Sequence, residues 1–186
     1  TQTFVDTAWG SFNAHHYRYA EGCSTFIVEC DPETWQRAGF SHMSEVAARQ
    51  QCQAIFAEIL GGHQLIANKS AWGQFPKLWN DTWSVANRVL IGDALHTAHF
   101  SIGSGTRLAI EDAIALDRAL AGALDDLPRA LAEYQAARQP VVRKLVEAAN
   151  TSALWYEDFG RRMALDPIDF GFDYITRSGR VTIERL

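Results

Sequence analysis

One stretch in the second half of the chain combines a short apolar run, an acidic residue and a glycine loop. Val89–Ile91 is apolar, Gly92 and Asp93 follow it directly, and residues 102–106 read Ile-Gly-Ser-Gly-Thr. The pattern predicts a strand buried on both faces, then a turn, then a helix whose N-terminal end opens beside the glycine loop. We therefore expect a corner that binds negative charge and hydroxyl groups.

Each part of this corner suits a polar or anionic ligand. The carboxylate of Asp93 can accept hydrogen bonds from ligand hydroxyl groups. Gly103 and Gly105 add no side-chain bulk, so a ligand can approach the loop backbone closely. The backbone N–H groups of Ser104 and Thr106 lead into the predicted helix, whose dipole favours negative charge at this end. A pair of glycines also occurs in ordinary packing turns, so the interpretation depends on the whole ordered string.

Composition and charge exclude several other classes of protein. Of the 186 residues, 47% are hydrophobic and 21% are charged, a normal globular balance. The net charge of -5 provides no basic surface for nucleic acid, and no run of 18 apolar residues predicts a membrane span. Cys23, Cys30 and Cys52 lack the spacing of a zinc site or a disulfide framework, which indicates free thiols in a reducing cytoplasm.

The first third of the chain has the alternating pattern of an antiparallel sheet. Thr3–Thr7, Ser11–Tyr19 and Ser24–Cys30 are predicted strands, separated by turn residues. A helix with a serine N-cap is predicted over residues 44–60, and a further strand over residues 65–69.

The part after the motif is predicted to be mostly helical. The first helix spans 106–121 with an apolar stripe that includes Ala113, and the second runs from 127 to 149 with Pro140 kinking or interrupting it. A third helix, capped by an asparagine or threonine at 150–151, ends near residue 162, and an irregular tail follows. The expected fold class is therefore α/β, or α+β.

Aromatic residues near the motif allow two interpretations. Four of them precede it: Trp72, Phe75, Trp79 and Trp83. Such clusters more often form plain core, but they could also line an aromatic substrate pocket. His99 and Phe100 stand beside the glycine loop, where a pocket role and a packing role are equally compatible with the sequence.

Metal binding and hydrolysis are both disfavoured. Adjacent His15 and His16 point to opposite faces of a strand, and no Asp or Cys completes a ligand set. Ser101 and Ser104 lie near histidines but lack the glycine spacing of a nucleophile elbow. We expect no metal and no catalytic nucleophile.

The string from Gly92 to Ala113 resembles the second flavin-contact motif of the single-component FAD-dependent aromatic hydroxylases, the p-hydroxybenzoate hydroxylase class. Gly-Asp-Ala-Leu-His, the glycines at 103 and 105, and Glu-Asp-Ala at 111–113 match it in order. The chain is most similar to the subgroup of salicylyl-CoA 5-hydroxylase and 2-aminobenzoyl-CoA monooxygenase. Phe100 stands where the family commonly has proline, and Leu95 where it has alanine.

The resemblance implies a role for each matching residue. Contacts with FAD would come from Gly92, Asp93, Gly103, Ser104, Gly105 and Thr106. Contacts with the substrate would come from His99, Phe100, Trp72 and Phe75. The implied reaction is hydroxylation of an aromatic substrate, for which an aromatic acyl-CoA thioester is one candidate, with FAD, NAD(P)H and O2.

The resemblance also implies how the chain is organised. Residues 1–86 would belong to a substrate domain, 87–164 to the C-terminal part of an FAD-binding domain, and 165–186 to a tail before a possible further domain. No Gly-x-Gly-x-x-Gly follows a first strand, so we expect the ADP half of the FAD site in an N-terminal part of the same polypeptide.

This chain alone would then be inactive and could self-associate through exposed apolar surface. The alternatives are a docking or dimerisation module with a relic flavin motif, a tryptophan-derivative hydroxylase, and a flavin-dependent halogenase.

Overall fold

The computed structural model describes residues 1–67 and 69–182, which form two compact units. The first unit comprises Thr1–Gly73 and Tyr156–Gly171, and the second comprises Gln74–Trp155 and the residues from Phe172 onward. An antiparallel sheet combined with helices confirms the predicted α+β class. In this described part, no helix is both long and apolar enough to cross a membrane. Residues 74–86 belong to the second compact unit. A compact unit is not the same thing as a functional domain, so the domain boundary expected after residue 86 stays a prediction.

The first unit is built on a three-stranded antiparallel sheet. Its strands lie in the order β1 (Gln2–Thr7), β2 (Gly10–Ala20) and β3 (Cys23–Cys30). Gly10 and Gly22 adopt φ angles of 134° and 68° at the two connections, where glycine avoids a steric penalty. The structure confirms all three predicted strands, each with ends shifted by a single residue at most.

Helices cover one face of this sheet. They are α1 (Pro32–Arg37), α2 (Glu45–Ile55) and α3 (Ala57–Leu60), and side chains of Asp31 and Ser44 cap the first two. The predicted helix over residues 44–60 is thus interrupted, at Phe56. The buried apolar side chains of the sheet and helices form one core: Phe12, Ala14, Ala38, Phe40, Cys52 and Phe56.

The opposite face of the sheet contains a buried polar pair. Asn13 on β2 is fully buried and donates a hydrogen bond from its side-chain amide to the carboxyl group of Glu29 on β3. Burial raises the pKa of Glu29 to about 7, although the bond from Asn13 acts in the opposite direction. Near this pair, the ring centres of Phe4 and Phe159 lie 5.3 Å apart.

The strand predicted over residues 65–69 is wrong for the residues that are described, and Asn68 lies outside them. Side chains of α2 occupy the backbone groups that a strand partner would need. Arg49 donates to the carbonyl oxygen of Leu65 at 2.7 Å, and the Leu65 N–H donates to Gln53 Oε1 at 3.1 Å. The segment is therefore held by side chains and has no need of a neighbouring strand.

The second unit consists of a short hairpin and two long helices. The hairpin pairs β4 (Ser84–Val85) with β5 (Arg88–Val89), and the helices are α4 (Gly105–Gly122) and α5 (Leu127–Glu157). The buried residues of this unit form a second core: Trp83, Leu95, Leu108, Tyr134, Val142, Leu145 and Val146.

The C-terminal part is more helical than predicted. Pro140 lies inside α5 without ending it, and α5 also continues through 150–151, so no third helix is capped there. Two further helices follow, α6 (Phe159–Arg162) and α7 (Pro167–Thr176). The prediction of an irregular tail is wrong over the residues of α7. The first free N–H groups of this helix bond to the side chain of Asp166. Residues 183–186 of the predicted tail lie outside the described residues.

Candidate functional site

The apolar run before Asp93 is shorter as a strand and more open than predicted. β5 ends at Val89, and its partner is β4; no other strand flanks it within residues 1–67 and 69–182. Leu90 and Ile91 are 37% and 40% exposed. The prediction of a strand buried on both faces is therefore wrong for the described structure, because nothing in it covers one side of the run.

The turn that follows requires glycine for two reasons. Gly92 opens a 3-10 turn, Gly92–Ala94, with φ at 59°, and its carbonyl oxygen accepts from the N–H groups of Leu95 and His96 at 2.8 and 3.0 Å. A Cβ atom at position 92 would lie 3.1 Å from the Cβ of Ala109 on α4. The turn is thus pressed against α4, and both its backbone angle and its close approach favour glycine.

Asp93 sits on the exposed side of this turn. Its carboxylate makes no hydrogen bond or ion pair with any other residue in the described ranges, and the residue is exposed. The turn on which it sits is nevertheless fixed by the bonds described above. A fixed, open carboxylate is suited to accept hydrogen bonds from a polyhydroxyl ligand.

Behind the turn lies a buried ionic network centred on Asp112 of α4. The Asp112 carboxylate accepts from the Gly92 N–H at 3.2 Å, from His96 Nε2 at 2.8 Å and from Arg138 Nε at 3.0 Å. Arg138 also pairs with Glu111 at 3.1 Å. Burial alone would raise the pKa of Asp112, but the bonds from His96, Arg138 and Gly92 outweigh it and hold that pKa below its usual value.

The glycine loop leads directly into α4. Gly103 has φ at 60° and follows a 3-10 turn over Phe100–Ile102, and Gly105 is the first residue of the helix. A Cβ atom added to Gly103 or to Gly105 would meet no heavy atom within 4 Å, apart from chain neighbours and the backbone of α4 itself, so open space lies beside both. Ser104 is buried and donates to the carbonyl oxygen of Ile102 at 3.2 Å, so its side chain does not cap the helix. The first N–H groups of α4 thus receive no side-chain cap from Ser104.

Three of the four predicted substrate contacts lie together. The Phe75 ring centre is 4.9 Å from that of Phe100 and 6.2 Å from that of His99, and His99 stacks on Phe100 at 4.5 Å. Phe75 is 67% exposed, so the cluster has an open side. Trp72 lies in the first unit, where its ring centre is 4.7 Å from that of Phe40.

Arg177 supports the 3-10 turn over Phe100–Ile102 that precedes the glycine loop, and the sequence alone did not indicate this role. Its Nη2 donates to the carbonyl oxygen of Ser101 at 2.9 Å, and its Nη1 donates to the carbonyl oxygen of Tyr174 at 2.7 Å. The guanidinium carbon also lies 3.9 Å from the centre of the Tyr174 ring. A contact 76 residues away in sequence leaves no local pattern by which it could be predicted.

The chain is similar to known proteins over a range that includes this site. A family model described as an FAD binding domain matches residues 18–149, a range that includes Asp93, the glycine loop and Asp112. Salicyloyl-CoA 5-hydroxylase from a Streptomyces species is 40% identical over 188 residues, which cover 95% of this chain and 36% of that protein. The 3-hydroxy-4-methyl-anthranilyl-[aryl-carrier protein] 5-monooxygenase of Streptosporangium sibiricum is 41% identical over 184 residues, which cover 96% of this chain and 46% of that protein.

A solved structure gives the same result. The Pseudomonas aeruginosa protein pqsL, a probable FAD-dependent monooxygenase, matches with a TM-score of 0.59 and 29% identity, over 87% of this chain and 45% of that one. The chain thus spans between about a third and a half of the length of the proteins it matches. Because the family model covers more than half of the chain, the resemblance seen in the motif is confirmed, and the chain belongs to the FAD-binding domain family.

Proposed function

We propose that this chain supplies the part of an FAD site that holds the ribityl chain and the isoalloxazine ring, in a monooxygenase that hydroxylates an aromatic substrate. The observation that carries the proposal is Asp93, an exposed carboxylate without a partner among the described residues, on a turn that Asp112 and α4 hold from behind. Family membership and the activities named for the relatives support it. Bound FAD would supply the oxygen chemistry, with NAD(P)H as reductant and O2 as co-substrate.

The residues present fit such a cofactor. Asp93 would accept hydrogen bonds from ribityl hydroxyl groups. Open space beside Gly103 and Gly105 admits a flat ring close to the backbone, and the N–H groups of Ser104 and Thr106 would face its pyrimidine edge. The N-terminal end of α4 favours negative charge at that edge, which is where charge develops on reduction.

The aromatic cluster of Phe75, His99 and Phe100 would bind the substrate ring. Offset and edge-to-face contacts with an aromatic substrate suit this cluster, in which Phe75 is exposed and His99 and Phe100 are half-buried. Because no side chain needs to act as a nucleophile, the work of these residues is to hold the substrate and to exclude water. Trp72 is a further proposed contact, from the first unit.

We propose that an N-terminal part of the same polypeptide supplies the ADP side of the site. Exposed apolar residues in the second unit support this: Leu90, Ile91, Ile110 and Ile114. A covering segment would remove them from water. The isolated chain would accordingly bind FAD weakly, would be inactive and could self-associate, and the expected location is the cytoplasm.

FAD titration of the full polypeptide, followed by visible absorbance, tests the proposal. Asp93→Ala should weaken FAD binding by about 10- to 100-fold, because a charged acceptor contributes about 1.5–3 kcal/mol to its hydrogen bonds. Asp117→Ala, on the exposed surface of α4, is the matched control and should leave the dissociation constant unchanged. Wild-type binding that Asp93→Ala does not weaken would remove Asp93 from the site, and no binding by the wild type would favour a docking module with a relic motif.

A further inference from the structure

Asp112 lies behind the proposed flavin site, and its two carboxylate oxygens have separate tasks. Oδ2 accepts from the Gly92 N–H and from His96 Nε2, and these two residues begin and follow the turn that presents Asp93. Oδ1 accepts from Arg138 Nε. One oxygen thus holds both ends of the turn, while the other is paired with a cation on α5.

Helix α5 holds the backbone just before this turn. Tyr134, one helical turn before Arg138, donates from its hydroxyl group to the carbonyl oxygen of Leu90 at 3.3 Å. The backbone on either side of Asp93 is therefore held by two helices, because Leu90 is bonded to α5 whereas Gly92 and His96 are bonded to Asp112 on α4. Both Tyr134 and His96 are almost completely buried, so water does not compete for these bonds.

We propose that Asp112 is a positioning residue for FAD, which acts through Gly92 and His96 and never touches the cofactor. The inference rests on the proposed function. Glycine has more backbone freedom than any other residue, and Gly92 would sample other conformations without a bond on its N–H group. The Asp112 carboxylate removes that freedom before the cofactor arrives. FAD binding therefore does not include the entropic cost of ordering the turn.

An amide cannot replace this carboxylate. The side chain of asparagine has one accepting oxygen and a donating NH2 group, whereas Asp112 accepts from three donors through two oxygens. In Asp112→Asn, the NH2 group of asparagine therefore points either at the donors of the turn or at the donor of Arg138, and that hydrogen bond is lost. The variant keeps the size of the side chain, so it tests the charge and the accepting geometry rather than the packing.

The experiment compares Asp112→Asn with Val142→Ala in the full polypeptide. Val142 is a fully buried residue of the same unit whose side chain makes no hydrogen bonds, so its truncation controls for lost stability. At a temperature where both variants are folded, Asp112→Asn should raise the FAD dissociation constant at least tenfold. Hydrogen exchange of the 92–96 amides without FAD should accelerate in that variant. Val142→Ala should lower the melting temperature and change neither quantity more than twofold.

A second pair keeps the proposal testable if Asp112→Asn does not fold. His96→Gln retains a side-chain N–H donor, whereas His96→Ala removes it, so the glutamine variant should retain most of the FAD affinity that the alanine variant loses. Wild-type affinity and exchange in folded Asp112→Asn, or in folded His96→Ala, would overturn the proposal. If the wild type itself binds no FAD, the proposed function fails, and the exchange comparison alone still decides whether Asp112 holds the turn.

Discussion

The sheet of the first unit and the hairpin of the second unit complete their cores by different means. In the first unit, β2 is paired on both edges, and its inward side chains Phe12 and Ala14 are fully buried under helices. In the second unit, β5 is two residues long, and the apolar residues after it remain more than a third exposed. The turn that follows the hairpin is ordered instead by side chains, above all by the Asp112 carboxylate.

This contrast separates two ways of holding a backbone. The sheet uses apolar burial, which is non-directional and spread over many residues. The turn that presents Asp93 uses a few directional bonds to one buried carboxylate, which fix the turn without covering it. A site that must admit a ligand benefits from the second arrangement, because Asp93 and the glycine loop stay open while their backbone is held.

Truncation of the sheet core should produce the largest loss of stability. Phe12→Ala removes a fully buried ring from the core of the first unit, and we expect the free energy of unfolding to fall by about 3–5 kcal/mol. Val46→Ala, exposed on α2 of the same unit, should change it by less than about 0.5 kcal/mol. Denaturant titration measures the free energy of unfolding of both variants. Equal effects would contradict the view that this core stabilises the first unit.

The sheet was predictable because its signals are local. The alternation of β2 and the glycines at both turns depend on neighbours in sequence. The segment at 65–67 was not predictable in the same way, since the groups that bond its backbone are Arg49 and Gln53, which lie on a helix more than ten residues away. Helix α7 did carry a local signal, Asp166 followed by Pro167, which is a typical helix start.

The pH dependence of stability should show the next largest effect, and it arises in the first unit. The pKa of Glu29 is about 7 in the folded protein, above the value near 4.5 of a free glutamate, so folding favours its protonated form. Its contribution is therefore fully present below about pH 4.5 and is lost as the pH rises through 7. For a raised pKa of this size the loss is about 2–3 kcal/mol between pH 5 and 8.

Glu29→Gln tests this directly, because glutamine stays neutral and can still accept the bond from Asn13. The variant should be more stable than the wild type at pH 8 and nearly equal to it at pH 5, as measured by denaturant titration at each pH. Glu58→Gln, exposed on α3, should leave the pH profile of the wild type unchanged. Parallel profiles for Glu29→Gln and the wild type would show that Glu29 titrates normally.

The motif residues of the candidate site could be found in the sequence, whereas the residues that support them could not. Asp93 and the two glycines form an ordered string that can be read directly, whereas Asp112 was placed on a helix with an apolar stripe through Ala113. In the structure Ala113 is exposed and Asp112 is fully buried. Periodicity assigns charged residues to the solvent side, and the pairing that reverses this rule for Asp112 comes from Arg138, 26 residues away.

The smallest effect distinguishes a glycine required for folding from a glycine required for a ligand. Gly92→Ala forces a side chain into φ near 59° and against Ala109, so we expect a loss of about 1–2 kcal/mol in the free energy of unfolding. Gly105→Ala meets open space at an ordinary helical position, so it should leave stability unchanged or slightly raised. In the FAD titration, however, Gly105→Ala should weaken binding, because its methyl group would occupy space that the proposed ring needs. A stable Gly105→Ala variant with wild-type affinity would show that the loop does not approach the cofactor closely. The proposed FAD contacts of this chain would then depend on Asp93 alone.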